Sequence, residues 1–507
     1  MQRINRRLAW MVLGALLLMT GFWLVFTVYR AGHYWLALGG LTLLGVSGWV
    51  FTSPRAYAWR YLYPGVVAML VFVLFPALYT ARIGFTNYSS TNLLTFSRAT
   101  AYLLDQTYSS GGDPLQLSLY AHGKNYQLRL SNEAGQVWQS ADVKLDGAKK
   151  QTVTLHEASV APVGDRASFR EVIAQQAALK ALTLYLPGSN EPYRLVSLSG
   201  FAPVSPLYRQ AADGRLTNLK TGEVLRPNFE TGFYETAAGE QIAPGFRVNV
   251  GWSNFERLFG SAELQAPLLS VFIWTVLFAA LTVLFTFSVG FVLATVLSWE
   301  ALRFKTAYRV LLFLPYAVPG FISILIFRGL FNENFGEINM VLNGLFGISP
   351  NWFSDPLLAK MMLLIVNTWL GYPYMMLLCL GLIKSIPSDL YEASAINGAS
   401  AWTNLTRITL PLIAKPIMPL LIASFAFNFN NFVLISLLTD GRPDFTDSVV
   451  PAGTTDILVS YTYRIAFQDS GQNFGLAAAI STLIFILVAV LSLINLRLSR
   501  VNAPEKK

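Results

Sequence analysis

The sequence predicts an all-α polytopic membrane protein of about eight transmembrane helices, with a mainly β extracytoplasmic domain inserted after the third. Three observations carry this. Only 13% of the 507 residues are charged and 54% are hydrophobic, whereas soluble domains carry roughly 25% charged residues. Eight apolar stretches reach or approach the ~20 residues that a helix needs to cross a ~30 Å hydrocarbon core. Between the third and fourth lies a long segment, 85–267, in which polar and apolar residues alternate in strand fashion.

In chain order the stretches are Leu8–Tyr29, Tyr34–Phe51, Leu62–Ala81, Leu268–Leu297, Ala307–Phe327, Met361–Ile383, Ile417–Leu438 and Gly475–Leu496. The second is short and the fourth long. The first follows Arg3, Arg6 and Arg7 in the manner of a signal peptide. It is too long for an ordinary apolar region of one and no Ala-x-Ala site follows it, so it reads as a retained anchor.

Lys and Arg in short loops set orientation. Alternating from the amino terminus, one side carries Arg3, Arg6, Arg7, Arg55, Arg60, Arg303, Lys305, Arg309, Lys384, Arg407, Lys415, Arg497, Arg500, Lys506 and Lys507. The short loops of the other side carry Arg30, Arg442 and Arg464, with Arg328 and Lys360 at their borders. They hold most of the acids: Glu333, Glu337, Asp355, Asp440, Asp444, Asp447, Asp456 and Asp469. Both termini are therefore expected in the cytoplasm. The net charge of +9 is mainly this topology signal, and nucleic-acid binding is excluded. A single cysteine, Cys379, permits no intrachain disulfide, and His33, His122 and His156 form no metal motif.

The outer segment reads as strands in "YQLRLS" and "KKQTVTLH", turns at Gly111-Gly112-Asp113-Pro114 and Pro187-Gly188, and a helical patch in "REVIAQQAALKAL". It carries no nucleophile motif or acid pair. A docking or scaffold role is the expectation.

Between the sixth and seventh spans stands "YEASAINGASAWTNLTRITLP", Tyr391 to Pro411. Tyr391 to Ile396 reads as a short helix, Gly398 as a break, and Trp402 to Ile408 as a second helix ended by Pro411. Ala393, Ser394, Ala395 and Ala399 leave a face that another protein can approach closely. This stretch resembles the EAA loop of binding-protein-dependent ABC importer permeases, with matches at Glu392, Ala393, Gly398, Ala399, Ile408, Leu410 and Pro411. Asn397 stands where that family usually has Asp, and Ser394 where it often has Ala. The resemblance implies a coupling helix that docks on a cytoplasmic ATPase through Glu392, Ala393, Ser394, Asn397 and Gly398.

Further matches widen it. "LPYAVPGFISILIF", "WLGYPYMMLLCLGL" and "IASFAFNFNNFVLISLLTDGRPD" are similar to the larger-permease family of bacterial maltose/maltodextrin ABC importers, from about Gly251 onward. This implies three amino-terminal helices (1–84), a periplasmic domain (85–267) and a type I permease core (268–507) whose coupling loop covers about 384–415. It also implies the partners: a second permease subunit, an ATPase homodimer, a periplasmic maltose-binding protein, the sugar itself and membrane lipid.

The chain has no Gly-x-x-x-x-Gly-Lys-Ser/Thr phosphate loop, since Gly123-Lys124 lacks both the upstream glycine and the hydroxyl residue. It is accordingly expected to be no enzyme and to hold no cofactor, with ATP and magnesium on the ATPase. The spans contain no acid or histidine, which disfavours proton-coupled transport, and no cation deep inside, which disfavours an anionic ligand. A neutral, hydroxyl-rich ligand needs amides, hydroxyls and aromatic faces. Ser424, Phe427, Asn428 and Asn431 are spaced i, i+3, i+4, i+7 and share one helical face, while Asn430 points elsewhere. At ~1.5 Å per residue, Asn428 lies about 17 Å in from Ile417, near mid-membrane.

By spacing alone, asparagines that glue helices together explain this face at least as well. The resemblance implies instead a sugar site made of Ser424, Phe427, Asn428 and Asn431, with Leu370, Gly371 and Tyr374 from "WLGYPY", where Pro373 can bend the helix. A permease for another neutral oligosaccharide and a non-transporting membrane scaffold are the alternatives. A second cytoplasmic element, "SWEALRFKTAYR", is amphipathic and basic, and reads as a contact to lipid headgroups rather than to the ATPase.

Overall fold

The computed structural model describes residues 2–109, 111–112, 114–145, 147, 149–158, 162, 164–189, 191–299, 301–446 and 451–499. Asp113, Glu300, Asp447, Arg500, Lys506 and Lys507 lie outside the described residues, as do the side chains of Arg3, Arg6 and Arg7. The chain divides into two compact units: residues 1–83 with 481–489, and residues 84–480 with 490–507.

The first unit holds α1 (Gln2–Arg30), α2 (Tyr34–Thr52) and most of α3 (Trp59–Gly84). α1 and α2 meet through a glycine: a Cβ on Gly21 would fall 2.6 Å from a methyl of Leu44, the small-residue contact that brings membrane helices together. α2 and α3 are tied by Ser47 Oγ to Tyr63 OH at 2.8 Å and by Arg60, whose Nε donates to the Val50 carbonyl.

In the second unit the outer domain comes first. Its larger sheet has nine strands: β1 (Thr107–Ser109), β2 (Leu115–His122), β3 (Asn125–Ser131), β4 (Val137–Ser140), β5 (Gln151–Glu157), β6 (Asp165–Arg166), β7 (Leu182–Tyr185), β8 (Pro192–Leu195) and β9 (Gly200–Pro206). They run in the order β1-β9-β8-β7-β5-β4-β3-β2-β6, and an additional β9–β2 pairing joins the two ends of the order. Joining them covers edges that would otherwise template aggregation. Alternation fills the interior: Leu115, Leu117 and Leu119 of β2 and Leu128 and Leu130 of β3 are buried with Leu155, Leu184 and Phe201. The quoted strand motifs fall on β3 and β5. Five short strands between Tyr208 and Ile242 form a second sheet around Tyr234, Leu216 and Leu225, against the helix α4 (Phe96–Leu104).

The expected helical patch is shorter than its sequence and broken: α5 (Phe169–Ala174) and α6 (Gln176–Lys180) meet at Gln175, and the chain re-enters the sheet at Leu182. Ser168 and Glu171 form a capping box at the start of α5. At the neck, three asparagines stitch the chain entering the domain to the chain leaving it. Asn87 and Asn92 donate to the Phe246 carbonyl, both at 3.2 Å, and Asn254 donates to the Gly84 carbonyl at 2.8 Å.

The membrane core follows α7 (Ser253–Gly260). Its helices are α8 (Ala262–Ser298), α9 (Lys305–Ala317), α10 (Gly320–Leu330), α11 (Glu337–Phe346), α12 (Pro356–Lys384), α13 (Ser388–Ile396), α14 (Ala401–Phe429), α15 (Phe432–Leu438), α16 (Leu458–Tyr463) and α17 (Phe474–Ser499). Among the described residues six helices are long and apolar enough to cross a membrane, and the bent pair α9–α10 makes a seventh. α1 is a helix of 29 residues whose described apolar part is Gly14–Arg30, in keeping with the expected polytopic fold of about eight membrane helices.

Three expectations about continuity are corrected. The fifth stretch is two helices meeting at 88°: Pro319 has no N–H to donate and forces Val318 into extended backbone (φ −90°, ψ 131°). The seventh is also broken. α14 ends at Phe429, and after Asn430 the Asn431 side chain caps the start of α15 by accepting from Leu434 N. Conversely, Pro411 does not end the second coupling-loop helix, which is the first part of α14 and continues as the membrane helix to Phe429. A wide π turn at Asn404–Thr409 shifts the hydrogen-bond register just before the proline.

A polar cavity and a coupling loop in the permease core

α8 and α12 pack at very close range because Gly290 and Gly371 stand on their contact. A Cβ at Gly290 would fall 2.8 Å from Met375 Cβ, and one at Gly371 would fall 2.7 Å from Thr286 Cγ2. Two apolar clusters occupy the ends of this pair. One gathers Trp274, Phe278, Met362 and Val366; the other gathers Phe291, Met376, Cys379 and Ile417. Between them the sequence turns polar on each helix: Thr282 and Thr286 on α8, Asn367 on α12, Ser424 and Asn428 on α14.

That layer borders a cavity of about 680 Å³. All seven residues expected from the sequence, Leu370, Gly371, Tyr374, Ser424, Phe427, Asn428 and Asn431, line it. Asn430 does not; its Nδ2 donates to the Ala426 carbonyl at 3.3 Å. The bent pair closes another side with Pro315, Tyr316, Pro319 and Phe321. No acidic, basic or histidine side chain is among the described residues lining the cavity. Phe427, 71% exposed within this chain, presents a large aromatic face to the cavity.

The amides are held by one another. Asn367 Nδ2 donates to Asn428 Oδ1 at 2.8 Å and to Thr282 Oγ1 at 3.1 Å, and Asn431 Nδ2 donates to Asn367 Oδ1 at 3.4 Å. Asn428 Nδ2 donates to the Ser424 carbonyl at 2.8 Å. Asn367 was missed in the sequence reading, although its signal was present: Asn367, Leu370, Gly371 and Tyr374 repeat the i, i+3, i+4, i+7 spacing on α12. Thr282 and Thr286 gave no such signal, because a hydroxyl returning to its own helix carbonyl, as Thr286 does to Thr282 at 2.7 Å, is common in any membrane helix.

A second buried cluster lies in the loop after α15. Arg464 donates to Asp456 Oδ2 at 2.9 Å and to Asp444 Oδ1 at 2.6 Å. Asp456 is fully buried and also accepts from Ser460 Oγ at 2.7 Å and Gly453 N at 2.8 Å. Burial pushes its carboxyl above the usual range, and the Arg464 guanidinium pulls against that.

The coupling-loop residues sit on α13 and the turn after it. α13 begins at Ser388, three residues before the expected start. Gly398 adopts φ +71°, a left-handed conformation that strains other side chains, and the space around it is open. Asn397 Nδ2 donates to the Ala393 carbonyl at 2.8 Å, so the uncharged residue in the usual Asp position serves the helix end. Ser394 Oγ donates to Asn404 Oδ1, and Tyr391 OH meets Thr409 Oγ1 at 2.9 Å, fixing the two helices together. Glu392 and Ala393 are exposed, and the tip presents Ile396 and Trp402, 87% and 72% exposed.

Comparison with known proteins bears on both parts of the chain. Residues 94–251 match the maltose transport system permease protein MalF P2 domain, and residues 287–501 match the binding-protein-dependent transport system inner membrane component. The maltose/maltodextrin transport system permease protein MalF of Klebsiella aerogenes is 52% identical over 504 residues, covering 98% of this chain and 97% of that protein. Its counterpart from Escherichia coli K12 is 52% identical over 503 residues, with the same coverage, and that of Yersinia pestis is 50% identical over 504 residues, covering 98% of this chain and 94% of that protein. A solved structure of a bacterial ABC transporter involved in the import of the acidic polysaccharide alginate aligns at TM-score 0.43 and 24% identity, over 50% of this chain and 84% of that one. Half of all positions shared across nearly the whole of both chains, with outer domain and permease core in the same order, leave one conclusion: the chain belongs to the MalF family of maltose/maltodextrin transport permeases, multi-pass subunits of ABC importers in the inner membrane.

Proposed function

We propose that this chain carries maltose and maltodextrins across the inner membrane through the cavity between α8, α12, α14 and α15. The observation that carries this reading is the lining: amides, hydroxyls and exposed aromatic faces, with no charge among the described residues. A sugar hydroxyl leaving water needs a replacement for each hydrogen bond, and Asn428, Asn431 and Ser424 offer donors and acceptors without the desolvation cost of an ion. The faces of Phe427 and Tyr374 suit the C–H side of a pyranose ring. Leu370 and Gly371 shape the wall between them.

ATP hydrolysis belongs to a separate ATPase homodimer, which also holds ATP and magnesium. This chain meets it through Glu392, Ala393, Ser394, Asn397 and Gly398, and needs no cofactor of its own. A second permease subunit completes the pathway. A periplasmic maltose-binding protein delivers sugar from the side of the outer domain. Both termini face the cytoplasm, in keeping with the basic short loops. The working division is 1–84, 85–267 and 268–507.

The test is Asn428→Ala against Asn430→Ala, in complexes reconstituted into vesicles with labelled maltose. One lost neutral hydrogen bond costs about 0.5–1.5 kcal/mol, and a stranded buried polar group about 1–3 kcal/mol. Asn428→Ala should therefore lower uptake by roughly ten- to a hundredfold, at about tenfold per 1.4 kcal/mol, while the complex still assembles. Asn430→Ala should leave uptake near its original level. Equal damage from both, or loss of assembly from both, would make the asparagines helix glue. Uptake of another neutral oligosaccharide with maltose excluded would keep the cavity and change its cargo. No uptake of any sugar by the unmodified complex would leave a membrane scaffold.

A further inference from the structure

We propose that the connection between α8 and α9 is a binding site for the headgroup of an anionic phospholipid. The described residues here are Trp299 and 301–309, part of the basic amphipathic element that the transport reading leaves unused. Leu302 packs on the core, and two large aromatic side chains are left outside it. Trp299 is exposed, and Phe304, 77% exposed, stands at φ +59°. A bulky aromatic in the left-handed region is uncommon, and such strain persists where a residue is held for a purpose.

The same stretch of chain carries three cations, Arg303, Lys305 and Arg309, and Lys305 borders a cavity together with Phe304. Lys305 and Arg309 are one helical turn apart, so they repel each other unless an anion lies between them. Arg309 Nε is buried and has no hydrogen-bond acceptor among the described residues. A buried guanidinium N–H is ordinarily satisfied, and a phosphate oxygen is an acceptor of the right charge and shape.

The geometry selects a lipid over a soluble anion or a protein. An open cavity of about 860 Å³ is walled by Leu302, Phe304, Lys305, Thr306, Val310 and Leu311. Its apolar wall runs on along α9 through exposed Val310, Leu311 and Leu314, the face of a helix that enters the membrane. Lys305 and Phe304 in the wall, Arg303 and Arg309 close by in the chain, and an apolar face below match an anionic amphiphile. A docking groove for the ATPase would not continue into the acyl region.

The experiment uses the full chain purified in complex with its partner permease and ATPase subunits in detergent. The complex is mixed with phosphatidylglycerol or phosphatidylcholine of the same acyl chains, and bound lipid is counted by native mass spectrometry. Phosphatidylglycerol should be retained at least about fivefold better, the difference expected from a single cation near a membrane surface. Arg309→Gln should cut that preference by about fivefold. Because removing a cation can disturb insertion, a second variant, Trp299→Ser with Phe304→Gly, keeps all three charges and should lower retention of both lipids. Arg209→Gln with Arg226→Gln, exposed on outer strands, should change nothing. Equal retention of the two lipids by the unmodified complex would overturn the site. So would full retention by both variants. Release of the ATPase subunit with lipid retention unchanged would make this surface a protein contact and end the proposal.

Discussion

The permease core holds two polar clusters, each with a buried centre, and they are made of opposite materials. Around the cavity the groups are neutral: Asn367, Asn428 and Asn431 with threonine hydroxyls, their longest link 3.4 Å. In the loop after α15 they are ions: Arg464 against Asp456 and Asp444, every link 2.9 Å or shorter. A neutral amide can exchange one partner for another at small cost, whereas a buried ion deprived of its partner is strongly destabilising. The neutral cluster is therefore fit to trade partners with a passing ligand. The charged one is fit to hold backbone in place, and the loop it holds also receives the Trp274 indole N–H at Thr455 O, 3.3 Å, and gives Leu458 N to Thr275 Oγ1 at 2.9 Å.

The largest effect should come from breaking the charged cluster on one side. Arg464→Met leaves Asp456 buried without its counter-ion, a loss of about 3–5 kcal/mol. The expected outcome is a chain that no longer assembles, read as loss of the complex on size-exclusion chromatography. Asp456→Asn combined with Arg464→Met should restore much of the assembly, since the ion then left without its partner, Asp444, is half exposed and keeps its water. A fully assembled Arg464→Met complex would erase the contrast between the clusters.

Next comes the coupling loop, where neutral links join the two helices but the turn between them depends on backbone shape. Gly398→Pro asks for φ near −65° where the chain has +71° and deletes the N–H donated to the Ala395 carbonyl at 3.0 Å. ATPase copurification should fall while the cavity network stays formed. A variant that still binds the ATPase and couples hydrolysis to uptake would remove the docking reading.

Asn367→Ala probes the neutral cluster from behind. It removes links to Asn428, Asn431 and Thr282 together, each neutral bond worth about 0.5–1.5 kcal/mol. Sugar uptake should drop about tenfold or more with assembly retained. Loss of assembly on the scale of Arg464→Met would place the amides with the ions as structural groups.

The smallest effect belongs to the outer domain. The Ser168 backbone N–H and then its hydroxyl hold the Glu171 carboxyl below its usual range. The folded value is depressed, so this cap contributes stability above the unfolded value, near ~4.3, and loses it as pH falls through the lower folded value. The protection factors of the Phe169–Ala174 amides, which are corrected for the slower intrinsic exchange in acid, should fall as the pH is lowered below the usual carboxylate range. Glu171→Gln should flatten that dependence; identical pH profiles would show the cap to be idle.

Much of this architecture was readable from hydropathy, because a membrane crossing is a composition constraint repeated over many consecutive residues. The breaks were not, since a sum over a window is blind to backbone path. Val318-Pro319 and Asn430-Asn431 both sit inside stretches apolar enough to pass as single helices, yet a missing N–H bends one and a side-chain cap restarts the other. The cavity residues were legible wherever helical spacing brought them to one face, and on α12 the same spacing would have added Asn367. Asp456 and Arg464 were visible only as loop charges. Their pairing depends on how the whole outer loop folds back, which no local period records.

The asparagine stitches at the neck of the outer domain have a consequence for how such a chain can change over time. Asn87, Asn92 and Asn254 bring the two crossing points of the inserted chain within hydrogen-bond reach of each other. Whatever stands between them is, to the core that follows, a single short staple. The insert can therefore be lengthened, trimmed or exchanged as a cassette, and the helices after Ser253 inherit the same starting position each time. Selection on recognition outside the membrane is thereby freed from selection on passage through it.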